Sequence, residues 1–326
     1  MTSLMRWWMP LALSLGAFSG TLPAFAQSRF PDHPIRFVVP FPPGGGNDIL
    51  ARAIAPKMGE FLGQPVVIDN KAGAGGNIGT DLVAKSPPDG YTIVIASNQI
   101  TINPWLYSKL PFDIERDFTP VAQAASVPMV LVVHPSVAAN NLREFIALVK
   151  AQPDKFNHST PGDGTPQHIA FEVFNHAAGI KVTHVPYKGT GPAIADLLAG
   201  QVQAAIGTMA SLEQHVKAGK LRALGVTTPK RSQTLPQVPT LAEAGLPGFE
   251  VPLWYSILAP ANTPKEVVNR LSSDIAKSLA TPEIRDRLTG QGFEVNYLNA
   301  EQMNDLIKRD MLRWQKSIRD IGLKMD

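Results

Sequence analysis

The chain has 326 residues, 44% of them hydrophobic, with 30 Lys and Arg against 27 Asp and Glu and no Cys. That length exceeds what one core usually fills, so two lobes are expected. The near-balance of charge without a Lys/Arg run argues against nucleic acid, and the lack of cysteine excludes disulfides, thiolate zinc sites and a cysteine-linked lipid anchor.

Arg6 stands ahead of an apolar run at residues 11–18, and Ala24-Phe25-Ala26 offers a small-x-small cleavage site before Gln27. This pattern predicts a secretory signal peptide over 1–26, since the run is too short to span ~30 Å of hydrocarbon. Arg6 is the one charged residue within it, so the 300 residues that follow (326 less 26) hold 29 basic against 27 acidic side chains. The expectation is an exported, periplasmic protein, monomeric by default.

The first apolar run is Phe37-Val38-Val39-Pro40, followed by Pro42-Pro43-Gly44-Gly45-Gly46-Asn47-Asp48 and an apolar-periodic helix. Val66-Val67-Ile68-Asp69-Asn70 repeats the arrangement with Gly73-Ala74-Gly75-Gly76-Asn77-Ile78-Gly79. Tyr91-Thr92-Ile93-Val94-Ile95 ends at Ala96-Ser97-Asn98-Gln99. An apolar run at 127–133 predicts a strand that crosses between lobes. Three more units follow: Lys155-Phe156-Asn157-His158 into a turn at 159–165, Val182-Thr183-His184-Val185 into 186–191, and Val202-Gln203-Ala204-Ala205-Ile206 into Gly207-Thr208-Met209. Helical segments such as 169–178 and 193–198 follow these turns. Alternating strands and helices predict an α/β fold with two doubly wound parallel sheets, whose strand-end loops line a crevice between the lobes.

Near the C-terminus, the run Leu253-Trp254-Tyr255-Ser256-Ile257-Leu258 is a candidate for crossing back to the first lobe. Thr263-Pro264-Lys265-Glu266, Thr281-Pro282-Glu283 and Asn299-Ala300-Glu301-Gln302 read as helix starts with capping boxes. The last helix points Met303, Leu306, Ile307, Met311 and Trp314 at a core. The lobes are placed at 27–125 with 246–326, and at 126–245.

The glycine turns have two readings. Three consecutive glycines exceed what a strand–helix connection capped by Asn47 or Asp48 requires, and exposed backbone amides at a helix N-terminus suit an anion. Gly73-Ala74-Gly75-Gly76-Asn77-Ile78 fails as a dinucleotide fingerprint because Ile78 replaces the third glycine. Gly44-Gly45-Gly46-Asn47-Asp48 lacks the Lys-Ser/Thr of a P-loop. Among the seven His there is no His-Glu-x-x-His, no metal is expected, and no Gly-x-Ser-x-Gly elbow is present. His168, in the first turn of a helix behind a glycine-rich loop, is a ligand contact or a capping and packing residue. Ser159, Thr160 and Thr165 read as hydroxyl donors at helix entrances.

Taken together, the segments from Pro34 through Asp48, Asp69-Asn70-Lys71-Ala72-Gly73-Ala74-Gly75-Gly76, Pro87-Pro88-Asp89-Gly90-Tyr91-Thr92, His184-Val185-Pro186-Tyr187-Lys188-Gly189 and Lys217-Ala218-Gly219-Lys220-Leu221-Arg222-Ala223-Leu224 resemble the substrate-binding proteins of tripartite tricarboxylate transporters, the Bug receptor family. The resemblance implies a bilobal type II periplasmic binding fold. It also implies a small carboxylate held by backbone amides, hydroxyls and water, without cofactor. First-lobe contacts would come from Pro43, Gly44, Gly45, Gly46, Asn47, Asp48, Ala74, Gly75, Gly76, Asn77, Ser97 and Asn98. The second lobe would add Ser159, Thr160, Gly164, Thr165, His168, Lys188, Gly189, Thr190 and Gly207. Many relatives place an acid where this chain has Gly207-Thr208, which favours an organic acid without an amine. The cargo would pass to membrane transporter subunits or to a sensor protein. The competing reading is an exported bilobal enzyme acting on a small acid, with His168, Asp48 and Asp163 as its candidate groups.

Overall fold

In the computed structural model, which describes residues 30–325, the apolar runs of the first third become neighbours in one sheet. The chain runs through β1 (Ile35–Val39), α1 (Gly46–Leu62), β2 (Val66–Asn70), α2 (Asn77–Ala84), β3 (Thr92–Ser97), α3 (Gln99–Leu106) and β4 (Phe118–Ser126). Strand β1 pairs in parallel with both β2 and β3, and α1 and α2 supply the crossovers that parallel pairing needs. Strand β4 escaped the sequence reading. It carries Pro120 and a run of small residues, which suits its place at the edge of the sheet but hides the pattern of a strand.

The expected crossing lies at Val127-Pro128, between β4 and β5 (Met129–Val133) of a second sheet. That sheet is built from α4 (Leu142–Ala151), β6 (Asn157–Thr160), α5 (Pro166–Ala178), β7 (Thr183–Pro186), α6 (Thr190–Leu198), β8 (Ala204–Thr208), α7 (Met209–Lys217), β9 (Arg222–Val226) and α8 (Leu241–Ala244). Strand β6 pairs in parallel with β7 and β8, while β5 runs antiparallel between β8 and β9. The strands at Ser159-Thr160 and Gly207-Thr208 extend further than the apolar runs indicate, so these residues lie on strand ends and not in turns.

The return crossing sits beside the first. Val127 N–H donates to Leu253 O at 2.9 Å, and Val251 N–H donates to Thr227 O at 3.0 Å. Then β10 (Trp254–Pro260) enters the first sheet antiparallel between β3 and β4. The two sheets thus read β2-β1-β3-β10-β4 and β7-β6-β8-β5-β9, the same strand plan used twice.

Helices α9 (Lys265–Ala280), α10 (Pro282–Gly290) and α11 (Ala300–Ile321) close the chain. Only the last carries its expected capping box, in which Asn299 and Gln302 each accept the other's backbone N–H at 3.0 Å. At the other two starts the hydroxyl turns back to a carbonyl, Thr263 to Pro260 O and Thr281 to Lys277 O. Along α11, Met303, Ile307 and Trp314 are buried, with Leu306 and Met311 half-buried. Asp310 is buried among them. Its Oδ2 accepts from Trp254 Nε1 at 2.9 Å, Trp314 Nε1 at 3.1 Å and Thr101 Oγ1 at 3.2 Å. Burial pushes its pKa up, and those three donors oppose the shift. The signal-peptide expectation, at 1–26, lies outside the described residues.

Candidate functional site

Between β1 and α1 the chain makes its glycine turn, and Asp48 is what fixes it. Its buried carboxylate accepts from Gly44 N–H at 3.0 Å, from Arg52 Nε at 2.9 Å and from Asn70 Nδ2 at 2.9 Å. Burial alone would raise its pKa, but the bonds from Arg52, Asn70 and Gly44 outweigh it and hold the carboxyl below the usual range. Asp48 therefore braces the loop from behind. Gly45 is the N-cap in extended conformation, and the first intrahelical bond runs from Ile49 N–H to Gly45 O. The amides of Gly46, Asn47 and Asp48 lie ahead of that bond, at the positive end of a 17-residue helix. Gly46 must lack a side chain, because a Cβ there would occupy the place of the Tyr255 hydroxyl.

The second lobe presents two further helix ends. Thr165 caps α5 by accepting His168 N–H at 3.4 Å, with Pro166 at the first helical position. Gly189 caps α6, and its N–H is tied to Pro161 O at 2.9 Å. All three ends open into one narrow cavity. Gly45, Gly46 and Asn47 enter it from α1, Thr165 and Gln167 from α5, and Gly189 and Thr190 from α6. Ser97, Leu253 and Tyr255 complete its first-lobe wall, and among the described residues no Lys or Arg lines it. Asn47 Oδ1 is buried without a protein partner.

A wider cavity opens beside it, sharing Pro42, Thr165 and Gly189. Ala74, Gly75, Gly76 and Lys188 line that outer space, together with Tyr107, Tyr187 and Lys324. The lobes touch here. Gly75 adopts φ +61°, and a Cβ on it would stand 2.8 Å from the Asp163 carbonyl oxygen. A Cβ on Gly45 would stand 3.5 Å from Thr190 Oγ1. Ser159, Thr160 and Gly207 line a third cavity that reaches the first through Pro161, Gln167 and Thr190.

Several expected residues support the loops. Asn77 Oδ1 accepts from Asn103 Nδ2 at 2.7 Å, and Asn98 Nδ2 donates to Pro252 O at 3.0 Å. Gly164 packs against Tyr107 and gives its N–H to His168 Nδ1 at 3.3 Å. His168 is buried and stacks on His184, with ring centroids 3.8 Å apart and planes 12° from parallel. His158 stacks on His184 from 5.0 Å and on Phe171 from 3.7 Å. Burial, together with the charges of neighbouring imidazoles, lowers the pKa of His168 to about 2 and of His184 to about 4, so both rings are neutral. Asp163, His168 and His184 bring ligand atoms within 4.8 Å of one another. In near-parallel stacked rings, however, the nitrogen lone pairs of His168 and His184 lie in separate planes and do not converge on one ion.

Tyr255, Gln167 and Leu253 were not expected at the site. The apolar run around Tyr255 signalled a strand, and nothing local to it signals that the phenol ends beside the first glycine turn.

Residues 50–323 match the family model described as the tripartite tricarboxylate transporter family receptor. The chain is 44% identical over 94% of its length to the UPF0065 protein in the tcbD-tcbE intergenic region of Pseudomonas sp. strain P51, covering 91% of that protein. It is 35% identical to Protein BugT of Bordetella pertussis, covering 95% of each chain. Among solved structures, R. palustris Rpa4515 with adipate matches 91% of this chain and all of its own at TM-score 0.87 and 35% identity. MatC from Rhodopseudomonas palustris with bound malate matches 89% of this chain and all of its own at TM-score 0.82 and 32% identity. Among the described residues, no helix is long and apolar enough to cross a membrane.

Proposed function

The chain belongs to the tripartite tricarboxylate transporter receptor family, and from that premise we propose that it is a periplasmic solute receptor holding a small carboxylate between its lobes. We take the lobes as residues 27–125 with 246–326, and 126–245, of which 27–29 and 326 lie outside the described residues. One observation carries the reading: three helix N-termini from both lobes open into one cavity with no cationic side chain in its lining, among the described residues. Gly46, Asn47 and Asp48 of α1, Gln167 of α5, and Thr190 and Gly191 of α6 present free amides at the positive helix ends, so together they neutralise a carboxylate without burying a Lys or Arg. The adipate and malate bound by two relatives are acids of this class.

The site residues act in two ranks. Gly45, Gly46, Asn47, Ser97, Thr165, Gly189, Thr190 and Tyr255 meet the solute, while Asp48, Asn77, Asn98, Gly164 and His168 hold their loops in place. A solute that bridges α1 in one lobe with α5 and α6 in the other stabilises the closed arrangement and leaves the open one unaided. The cargo then passes to membrane transporter subunits or to a sensor partner. Against the enzyme reading, Asp48 is spent on the loop and His168 Nδ1 accepts from the Gly164 backbone amide.

Native mass spectrometry and thermal-shift screening against small organic acids test the proposal. At a hundred times its dissociation constant a true ligand adds ~2.7 kcal/mol, which raises the melting temperature by several degrees. No shift with any acid would sink the carboxylate reading.

A further inference from the structure

The three helix ends account for the charged end of a solute and leave its other end unassigned. Behind Pro161, Gln167 and Thr190 lies the third cavity, which shares those residues with the anion cavity. Its walls are Ala193 and Ile194 of α6, Ala205 and Ile206 of β8, and Leu212 of α7. Among the described residues, none that lines it carries a charge. Of the hydroxyls that line it, those of Thr160, Thr208 and Ser211 are committed inside the protein, while those of Ser159 and Thr190 remain, Thr190 at its mouth toward the anion cavity. Thr160 Oγ1 donates to Gly162 O at 3.2 Å and lies 2.6 Å from His184 Nε2. Thr208 and Ser211 pair their hydroxyls at 2.8 Å, and Ser211 Oγ also lies 3.0 Å from Thr208 O. Gly207 leaves this wall bare, and a Cβ there would stand 2.5 Å from Leu212 Cδ1, so a side chain at this position would have to turn Leu212 aside.

We infer that this pocket receives the uncharged, apolar tail of a monocarboxylic acid whose carboxylate sits at the ends of α1, α5 and α6. The inference rests on the carboxylate-receptor reading above and names the solute class within it. A second carboxylate driven into the pocket would lose its hydration with no cation to replace it, whereas a methylene chain gains by leaving water.

Calorimetric titration of the purified protein with acetate, butyrate, hexanoate and adipate tests it. Each added methylene tightens binding about threefold to fourfold until the pocket is full. Hexanoate binds at least about tenfold tighter than adipate, which has the same carbon count but a second charge to desolvate. Ile194 is half-buried, and Ile194→Asp abolishes the chain-length gain while acetate affinity stays within about twofold. Adipate binding as tightly as hexanoate would overturn the inference, with Ser211 and the start of α7 taking the second carboxylate, and would leave the receptor reading intact. So would a response independent of chain length, or a chain-length gain that survives Ile194→Asp. Binding of none of the four acids would remove the carboxylate reading and this inference with it.

Discussion

The rings of His168 and His184 stack 3.8 Å apart beneath the loop in which Gly164 N–H bonds His168 and which carries Thr165 to the cavity. Burial, with His184 and His158 opposing charge on His168 and His158 opposing it on His184, keeps both neutral, with pKa values of about 2 and about 4 against an unfolded value near 6.5. Because the folded values are depressed, the stabilising contribution is fully present above pH ~6.5 and drains away as the pH falls toward about 4 and below. Glu172 beside His158 and Asp163 beside His184 are the acids that face the stack and moderate this loss. The melting temperature should therefore drop between pH 6.5 and 4, and His184→Gln should flatten that slope. Scanning calorimetry at stepped pH checks it, and identical slopes would count against the stack.

Gly75 sits in the left-handed region with the Asp163 carbonyl oxygen 2.8 Å from where a Cβ would be. Gly75→Val should strain the turn and wedge the lobes apart, weakening ligand binding about a hundredfold. Gly45→Val, at ordinary φ but facing Thr190, should do the same through contact alone. Circular dichroism should show both variants folded, and titration calorimetry gives the affinity. Normal binding by both would mean that the glycine turns are connections and nothing more.

Tyr255 brings its hydroxyl against the start of α1 from the other end of the sequence. Tyr255→Phe keeps the packing with Phe293 and removes one donor from the cavity. A hydrogen bond to a charged group is worth about 1.5–3 kcal/mol, so affinity for a carboxylate should fall by about tenfold or more with little change in melting temperature. Titration and melting of the same preparation separate the two effects.

Asp48 braces the glycine turn and does not line the cavity into which that turn opens. Asp48→Ala should release Gly44 N–H, Arg52 and Asn70 together, reducing affinity about tenfold through loss of preorganisation. Asp48→Asn, which keeps one accepting oxygen, should recover part of that loss. Equal affinity in all three proteins would show that the loop holds its shape unaided.

Asp310 answers two buried indole N–H groups and the Thr101 hydroxyl. Asp310→Ala leaves Trp254 and Trp314 with unpaired donors in the core and should cost about 2–4 kcal/mol. Denaturant unfolding measures it, and a loss below ~1 kcal/mol would mean that water replaces the carboxylate.

Local signals made much of this protein legible. The runs at β1, β2 and β3 are continuous, rich in β-branched residues and bounded by Pro and Gly, so they announce parallel strands, buried at β1 and β3 and half-exposed at the edge strand β2, and the glycine turns that follow the first two. The turn at Gly44-Gly45-Gly46 and the Thr165-Pro166 helix start could be read from residue type alone, because backbone amides need no partner from elsewhere to be exposed. Strand β4 could not, since Pro120 and small residues become a strand only when β10 lies alongside. The same holds for the site's distant members. Tyr255 reaches Gly46, Asp48 bonds to Asn70 outside the cavity lining, and His168 stacks on His184, each through a contact between segments far apart in the chain. Sequence determined where amides would be free, because helix ends are local. Tertiary packing decided which side chains line the cavity between the lobes and which hold its loops, because burial and hydrogen-bond partners belong to pairs of residues.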